Sequence, residues 1–228
     1  MMHLGIVPIV LPALMAALCL ILPRAARGFA ALTVIGLLAL HLMPLTGAYF
    51  LGSWPAPFGI VLLMDRLSSL MLLLVAGLSA VVMMYATISG WDQKGQHFYP
   101  LFLLQIMGLN GAFLTADAFN LFVFFEVLLI ASYGLVVHGG RRAALHYVGF
   151  NLLGSAVFLL ALGLIYNLTG TLNMADIGQK LPLLPPQAHL LAYSGGHSLP
   201  HLPPLLPPMP RPATAARTAP STMKSTRP

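Results

Sequence analysis

Six stretches of 18–25 mostly apolar residues, separated by short polar or Gly/Pro-bearing breaks, dominate this chain. They run over about residues 3–22, 28–48, 65–88, 98–115, 117–138 and 144–168. A helix that crosses a bilayer needs about 20 such residues. A soluble alternative fails on charge: only 7% of residues are Asp, Glu, Lys or Arg, whereas 58% are apolar. Soluble domains carry about 25% charged residues. The expected fold is therefore an all-α integral membrane protein with six transmembrane helices, occupying residues 1–180. The 49–64 stretch, with Trp54-Pro55-Ala56-Pro57 and Gly59, reads as a Pro-broken interfacial loop.

The first apolar run is read as a retained helix rather than a signal peptide. It has no Lys or Arg ahead of it, and Leu18 before Cys19 is not the small residue of a lipoprotein cleavage site. Residues 181–228 differ in kind. They hold 12 of the 19 prolines, four basic residues (Arg211, Arg217, Lys224, Arg227) and no acid. Proline at that density opposes regular helix, so this stretch reads as a Pro-rich disordered tail.

Orientation follows from Lys and Arg in the short loops. Arg24, Arg27, Lys94, Arg141 and Arg142 fall on one side, against Arg66 and Lys180 on the other. That imbalance puts the first side in the cytoplasm and the N-terminus outside.

The chain has five carboxylates, Asp65, Asp92, Asp117, Glu126 and Asp176. Only Glu126 falls in the middle of an apolar stretch. Nine residues beyond Asp117, it sits about 13 Å deeper, near the bilayer midplane. A charged carboxylate there costs several kcal/mol and tends to take up a proton. A reversible proton site is the direct functional reading, and a hydrogen-bonded structural carboxyl is the rival one. Tyr133 and Phe122 share the helix face of Glu126. Asp117 reads as a helix-start acid favoured by the dipole.

Gln105 and Asn110 in the fourth stretch, and His146, Asn151 and Ser155 in the sixth, offer interhelical hydrogen bonds. Asn151, His146 and Tyr133 are also candidates for a hydrated polar path to Glu126. His138 and His146 flank the Arg141-Arg142 loop and read as interfacial, whereas His41 reads as a satisfied polar residue. A single Cys and scattered His leave no metal-ligand spacing, and no phosphate-cradling glycine loop is present. No cofactor, no metal and no nucleic-acid partner is expected.

The run from Met107-Gly108-Leu109-Asn110-Gly111 through Thr115-Ala116-Asp117 into Ala118-Phe119-Asn120-Leu121-Phe122-Val123-Phe124-Phe125-Glu126 is distinctive. It closely resembles the D subunit of the multisubunit monovalent cation/proton antiporters, the Mrp, Mnh or Pha systems. Asp65-Arg66-Leu67-Ser68, Trp54 to Val61, and Thr169-Gly170-Thr171-Leu172-Asn173-Met174-Ala175-Asp176 support the resemblance, which covers roughly residues 4–191. It implies kinship with the antiporter-like membrane subunits of respiratory complex I, built from inverted five-helix repeats. It implies that Glu126 is the residue of proton or cation translocation. It also implies partner subunits in a bacterial inner membrane, and exchange of H⁺ for Na⁺ or K⁺.

The resemblance breaks after Leu190-Leu191. The family continues there into a helix carrying a partner lysine, whereas this chain turns to Tyr193-Ser194-Gly195-Gly196-His197 and the proline tail. The expectation is a frameshifted or truncated product of a gene for such a D subunit. The rival expectations are a proton-pumping subunit of a complex I-like or hydrogenase assembly, and an inactive fragment or membrane scaffold.

Overall fold

A computed structural model describes residues 4–43, 46–53, 59–95, 97–137 and 141–184. Trp54-Pro55-Ala56-Pro57, His138 and the expected tail beyond Leu184 lie outside the described residues. Helices α1 (Val7–Ile21), α2 (Ala26–His41), α3 (Arg66–Ile88), α4 (Phe98–Leu114), α5 (Ala118–Val137) and α6 (Arg141–Thr169) run up and down in turn, followed by a short α7 (Met174–Lys180). A turn of 3-10 helix, Leu181–Leu183, continues from α7.

Among the described residues, five apolar spans are long enough to cross a membrane, where the sequence predicts six. The difference is α4, whose 17 residues span about 25 Å. Its buried face, which includes Phe98, Phe102, Leu103, Ile106, Asn110 and Leu114, explains how a short helix suffices. It packs against α1, α3 and α5 and is enclosed by protein rather than lipid.

The core joins small side chains to larger ones: Ala16, Cys19, Ala26, Ala30, Ala76 and Ala86 meet Phe98, Phe102, Leu103 and Ile106. Helices in lipid gain nothing by hiding leucine from leucine, so small residues that allow close approach dominate their contacts. α3 shows the division well. Leu67, Leu70, Leu74, Leu78, Val81, Tyr85 and Ile88 are exposed at three- and four-residue spacing. Leu72, Val75, Ala76, Ser79, Met83 and Ala86 form its buried face. An apolar stripe left outside suits contact with acyl chains.

α4 and α5 approach each other closely. A Cβ on Gly108 would lie 2.9 Å from Leu128 Cβ, and one on Gly111 would run into the Phe124 ring. α1 meets α4 through a different device. Pro12 has no N–H, so the carbonyl of Pro8, four residues earlier, loses its helical partner. Asn110 Nδ2 of α4 donates to it at 2.8 Å.

Two expected boundaries change. The second helix ends at His41, and the stretch expected to be a Pro-broken loop begins and ends as an antiparallel hairpin. Strands β1 (Gly47–Phe50) and β2 (Val61–Met64) pair in register Gly47↔Met64 through Phe50↔Val61. Beyond β2, Ala116 N donates to Val61 O at 2.9 Å. Met174 N donates to Ala116 O at 2.9 Å, and Ala118 N to Leu172 O at 2.8 Å. A non-helical backbone at a membrane boundary needs such partners, which explains why these linkers zip together. Arg141-Arg142, expected in a loop, lie instead in the first turn of α6.

Candidate functional site

Glu126 is the ninth of the 20 residues of α5, which spans about 30 Å, so it lies near mid-depth. Its neighbourhood follows from aromatic pairs between α5 and α6. Phe122 packs on Phe158 with centroids 5.7 Å apart, and Tyr133 meets Tyr147 edge-on at 5.6 Å. Phe122 and Tyr133 share the face of Glu126, so that face is turned toward α6. The two ring pairs fix an antiparallel register that sets Glu126 level with Gly154, between Asn151 and Ser155.

Polar atoms at this level are buried and unpaired. Glu126 Oε1, Asn151 Nδ2 and Ser155 Oγ have no hydrogen-bond partner among the described residues, nor does Gln105 Oε1 of α4. Asn151 and Ser155 line a cleft of about 360 Å³ with Leu121, Phe125, Gly154 and Phe158. Most of its wall is apolar, and Asn151 Nδ2 and Ser155 Oγ are the orphan polar atoms among those lining residues. The Glu126 face of α5 thus meets α6 at the level of Asn151 and Ser155.

Tyr133 lies within electrostatic reach of Glu126 and Tyr147. Its neighbour Ser132 shares a 3.1 Å hydrogen bond with the Tyr147 hydroxyl. His146 is exposed on the second turn of α6, away from the level of Asn151. Asp117 caps α5, its Oδ1 accepting from Asn120 N at 2.8 Å. Asn110 makes the interhelical bond expected of it. His41 departs from expectation: it is buried, and neither ring nitrogen has a hydrogen-bond partner among the described residues.

A second polar cluster escaped the sequence reading. Arg27 Nη2 donates to Asp92 Oδ2 at 2.6 Å, the Tyr99 hydroxyl donates to the same oxygen at 2.6 Å, and Arg27 Nε donates to Tyr99 at 3.1 Å. Burial pushes the Asp92 carboxyl up, but Tyr99 and Arg27 outweigh it and hold it below the usual carboxylate range. Two signals were available: Asp92 is one of only five acids, and its loop falls on the same side as Arg27.

A bundle of apolar helices with a carboxylate at mid-depth of α5 defines a multi-pass membrane protein. Residues 115–195 match the transmembrane family described as NADH:quinone oxidoreductase/Mrp antiporter, a segment that contains Glu126 and all of α6. Over that segment the chain is similar to antiporter-like membrane proteins.

It is 47% identical to the probable K⁺/H⁺ antiporter D subunit of Rhizobium meliloti (strain 1021), over 85% of this chain and 39% of that one. It is 40% identical to the Na⁺/H⁺ antiporter D subunit of Alkalihalophilus pseudofirmus, over 79% and 40% respectively. A solved structure of the Mrp complex from Dietzia sp. DQ12-45-1b superposes with a TM-score of 0.71 at 26% identity, over 86% of this chain and 44% of that one. The chain spans about two fifths of the length of the curated relatives it matches.

Proposed function

We propose that this chain acts as a D-type component of a multisubunit Na⁺/H⁺ or K⁺/H⁺ antiporter in a bacterial inner membrane. It is a transporter component rather than an enzyme, works with other subunits of the complex, and has its N-terminus outside. The proposed step is reversible protonation of Glu126. The observation that carries it is a mid-depth carboxyl whose Oε1 is buried without a partner among the described residues, within the matched family segment. A purely structural carboxyl would be expected to spend both oxygens on neighbouring donors.

Asn151 and Ser155, level with Glu126, supply the first polar stations of the path. Tyr133 bounds it on α5. His146 stands farther along α6 toward the basic side, where it would exchange protons with water.

The test is Glu126→Gln in the intact complex, assayed for cation-driven proton movement in everted vesicles. The expected result is loss of antiport with assembly unchanged, and normal antiport refutes the assignment. A second reading, a proton-pumping component of a complex I-like assembly, is supported by the family's inclusion of NADH:quinone oxidoreductase members. Proton movement that requires NADH oxidation rather than an imposed cation gradient would favour it.

A further inference from the structure

A large cleft lies far from Glu126, at the end of the bundle where α1 leads into α2 and α3 into α4. Its volume is about 780 Å³, and its lining includes Leu20, Arg24, Arg27, Asp92, His97 and Tyr99. We propose that it binds the phosphate headgroup of an anionic phospholipid.

The first argument is the state of Arg27. Asp92 is almost wholly buried, with 1% of its side chain exposed, whereas Arg27 is 54% exposed. Asp92 and Tyr99 take the Nε–H and one Nη2–H of the guanidinium. Three of its five N–H donors remain outside those bonds. The guanidinium is therefore held in one orientation by buried partners while keeping a forked donor edge for an oxyanion.

The second argument is the field. α2 and α4 both start at this cleft, and neither has a side-chain cap at its N-cap residue, Ala25 or His97. The C-terminal ends of α1 and α3 lie at the same end of the bundle and offset the two N-termini, so the charged side chains decide the sign. Arg24 and Arg27 against Asp92 leave the lining with one net positive charge. The balance favours an anion.

The third argument selects a lipid over a free phosphate. Leu20, Ile21 and Leu22, at the rim, are 58%, 72% and 50% exposed. A headgroup seated on the arginines would lay its acyl chains along them. A soluble phosphate would leave that rim unused.

Trp91, with Lys94 Nζ 3.9 Å over its ring, is next in sequence to the lining residue Asp92 and so senses a quencher held near the cleft. The experiment uses the purified chain carrying Trp54→Phe, in phosphatidylcholine vesicles titrated with brominated phosphatidylglycerol or brominated phosphatidylcholine. An arginine near a membrane surface contributes roughly a fivefold preference for an anionic lipid. Quenching of Trp91 should therefore favour phosphatidylglycerol at least about fivefold. Arg24→Gln, which leaves the Asp92 pair intact, should reduce the preference, and Arg24→Gln with Arg27→Gln should erase it. Soluble glycerol 1-phosphate should not displace the lipid. Equal quenching by both lipids, or a preference untouched by Arg24→Gln, overturns the site. Displacement by glycerol 1-phosphate overturns the lipid as its occupant.

Discussion

Replacing Asn110 by Leu keeps the branching at Cγ, adds some bulk, and removes the donor that serves the Pro8 carbonyl. A buried carbonyl left without a partner costs about 1–3 kcal/mol. Interhelical hydrogen bonds in membranes return less, about 0.6 kcal/mol on average and up to about 1.7. Asn110 Oδ1 is itself buried and unpaired among the described residues, so its removal recovers part of the loss. The hydrogen-bond part of the destabilisation is about 1 kcal/mol, near a fivefold change in the unfolding equilibrium.

The decisive step is to repeat the substitution in a Pro12→Ala background. Alanine supplies the N–H that proline lacks, and the Pro8 carbonyl regains its helical bond. Asn110→Leu should then cost about 1 kcal/mol less, since its packing penalty is common to both backgrounds. Cys19, the single cysteine, is 2% exposed and sits on α1 itself. Its maleimide labelling along an SDS titration therefore reads the opening of the affected helix. Equal costs in the two backgrounds would refute the reasoning, because the bond would then not be filling a gap left by proline.

Gly111→Leu should destabilise by about 1–3 kcal/mol in the same labelling assay, since its side chain must displace the Phe124 ring. The shift also moves α5 against α4, so antiport in the intact complex should fall along with stability. Asp92 sets an acid limit. Its folded pKa is depressed, so its contribution is complete above the ordinary carboxylate value near about 3.9 and is lost as pH falls through the folded value. Asp92→Asn should be less stable than the parent at neutral pH, and the difference should shrink on acidification below about pH 4. A constant difference across that range would show that the carboxylate charge is not what Arg27 and Tyr99 hold.

The spans were legible because apolar length is a one-dimensional property, and Glu126 was legible because a mid-span acid is costly anywhere. α4 was misjudged only in kind. At 17 residues it is shorter than the other spans, and enclosure by α1, α3 and α5 is a property of packing that no stretch of Leu and Phe announces. The hairpin was hidden by Trp54-Pro55-Ala56-Pro57, whose breaker signal masked the pairing of Gly47–Phe50 with Val61–Met64. The Arg27–Asp92–Tyr99 cluster joins residues 65 and 72 positions apart, and loop arithmetic counts such charges without pairing them. The level of Asn151 and Ser155 with Glu126 needed the α5–α6 register, which two ring pairs set and hydropathy does not.

The Pro8–Asn110 bond also bears on the order in which the chain can be made. Its partners are 102 residues apart. While the ribosome is still extending the chain toward Asn110, α1 is already synthesised and carries a bare carbonyl. At about 5–20 residues per second, that interval lasts roughly 5–20 s. A helix with an unmet acceptor has reason to stay near water, the insertion machinery or a holding protein until α4 arrives. Pro12 thereby makes the first span wait for the fourth, and a ribosome stalled before Asn110 should leave α1 open to crosslinking that releases once synthesis passes that point.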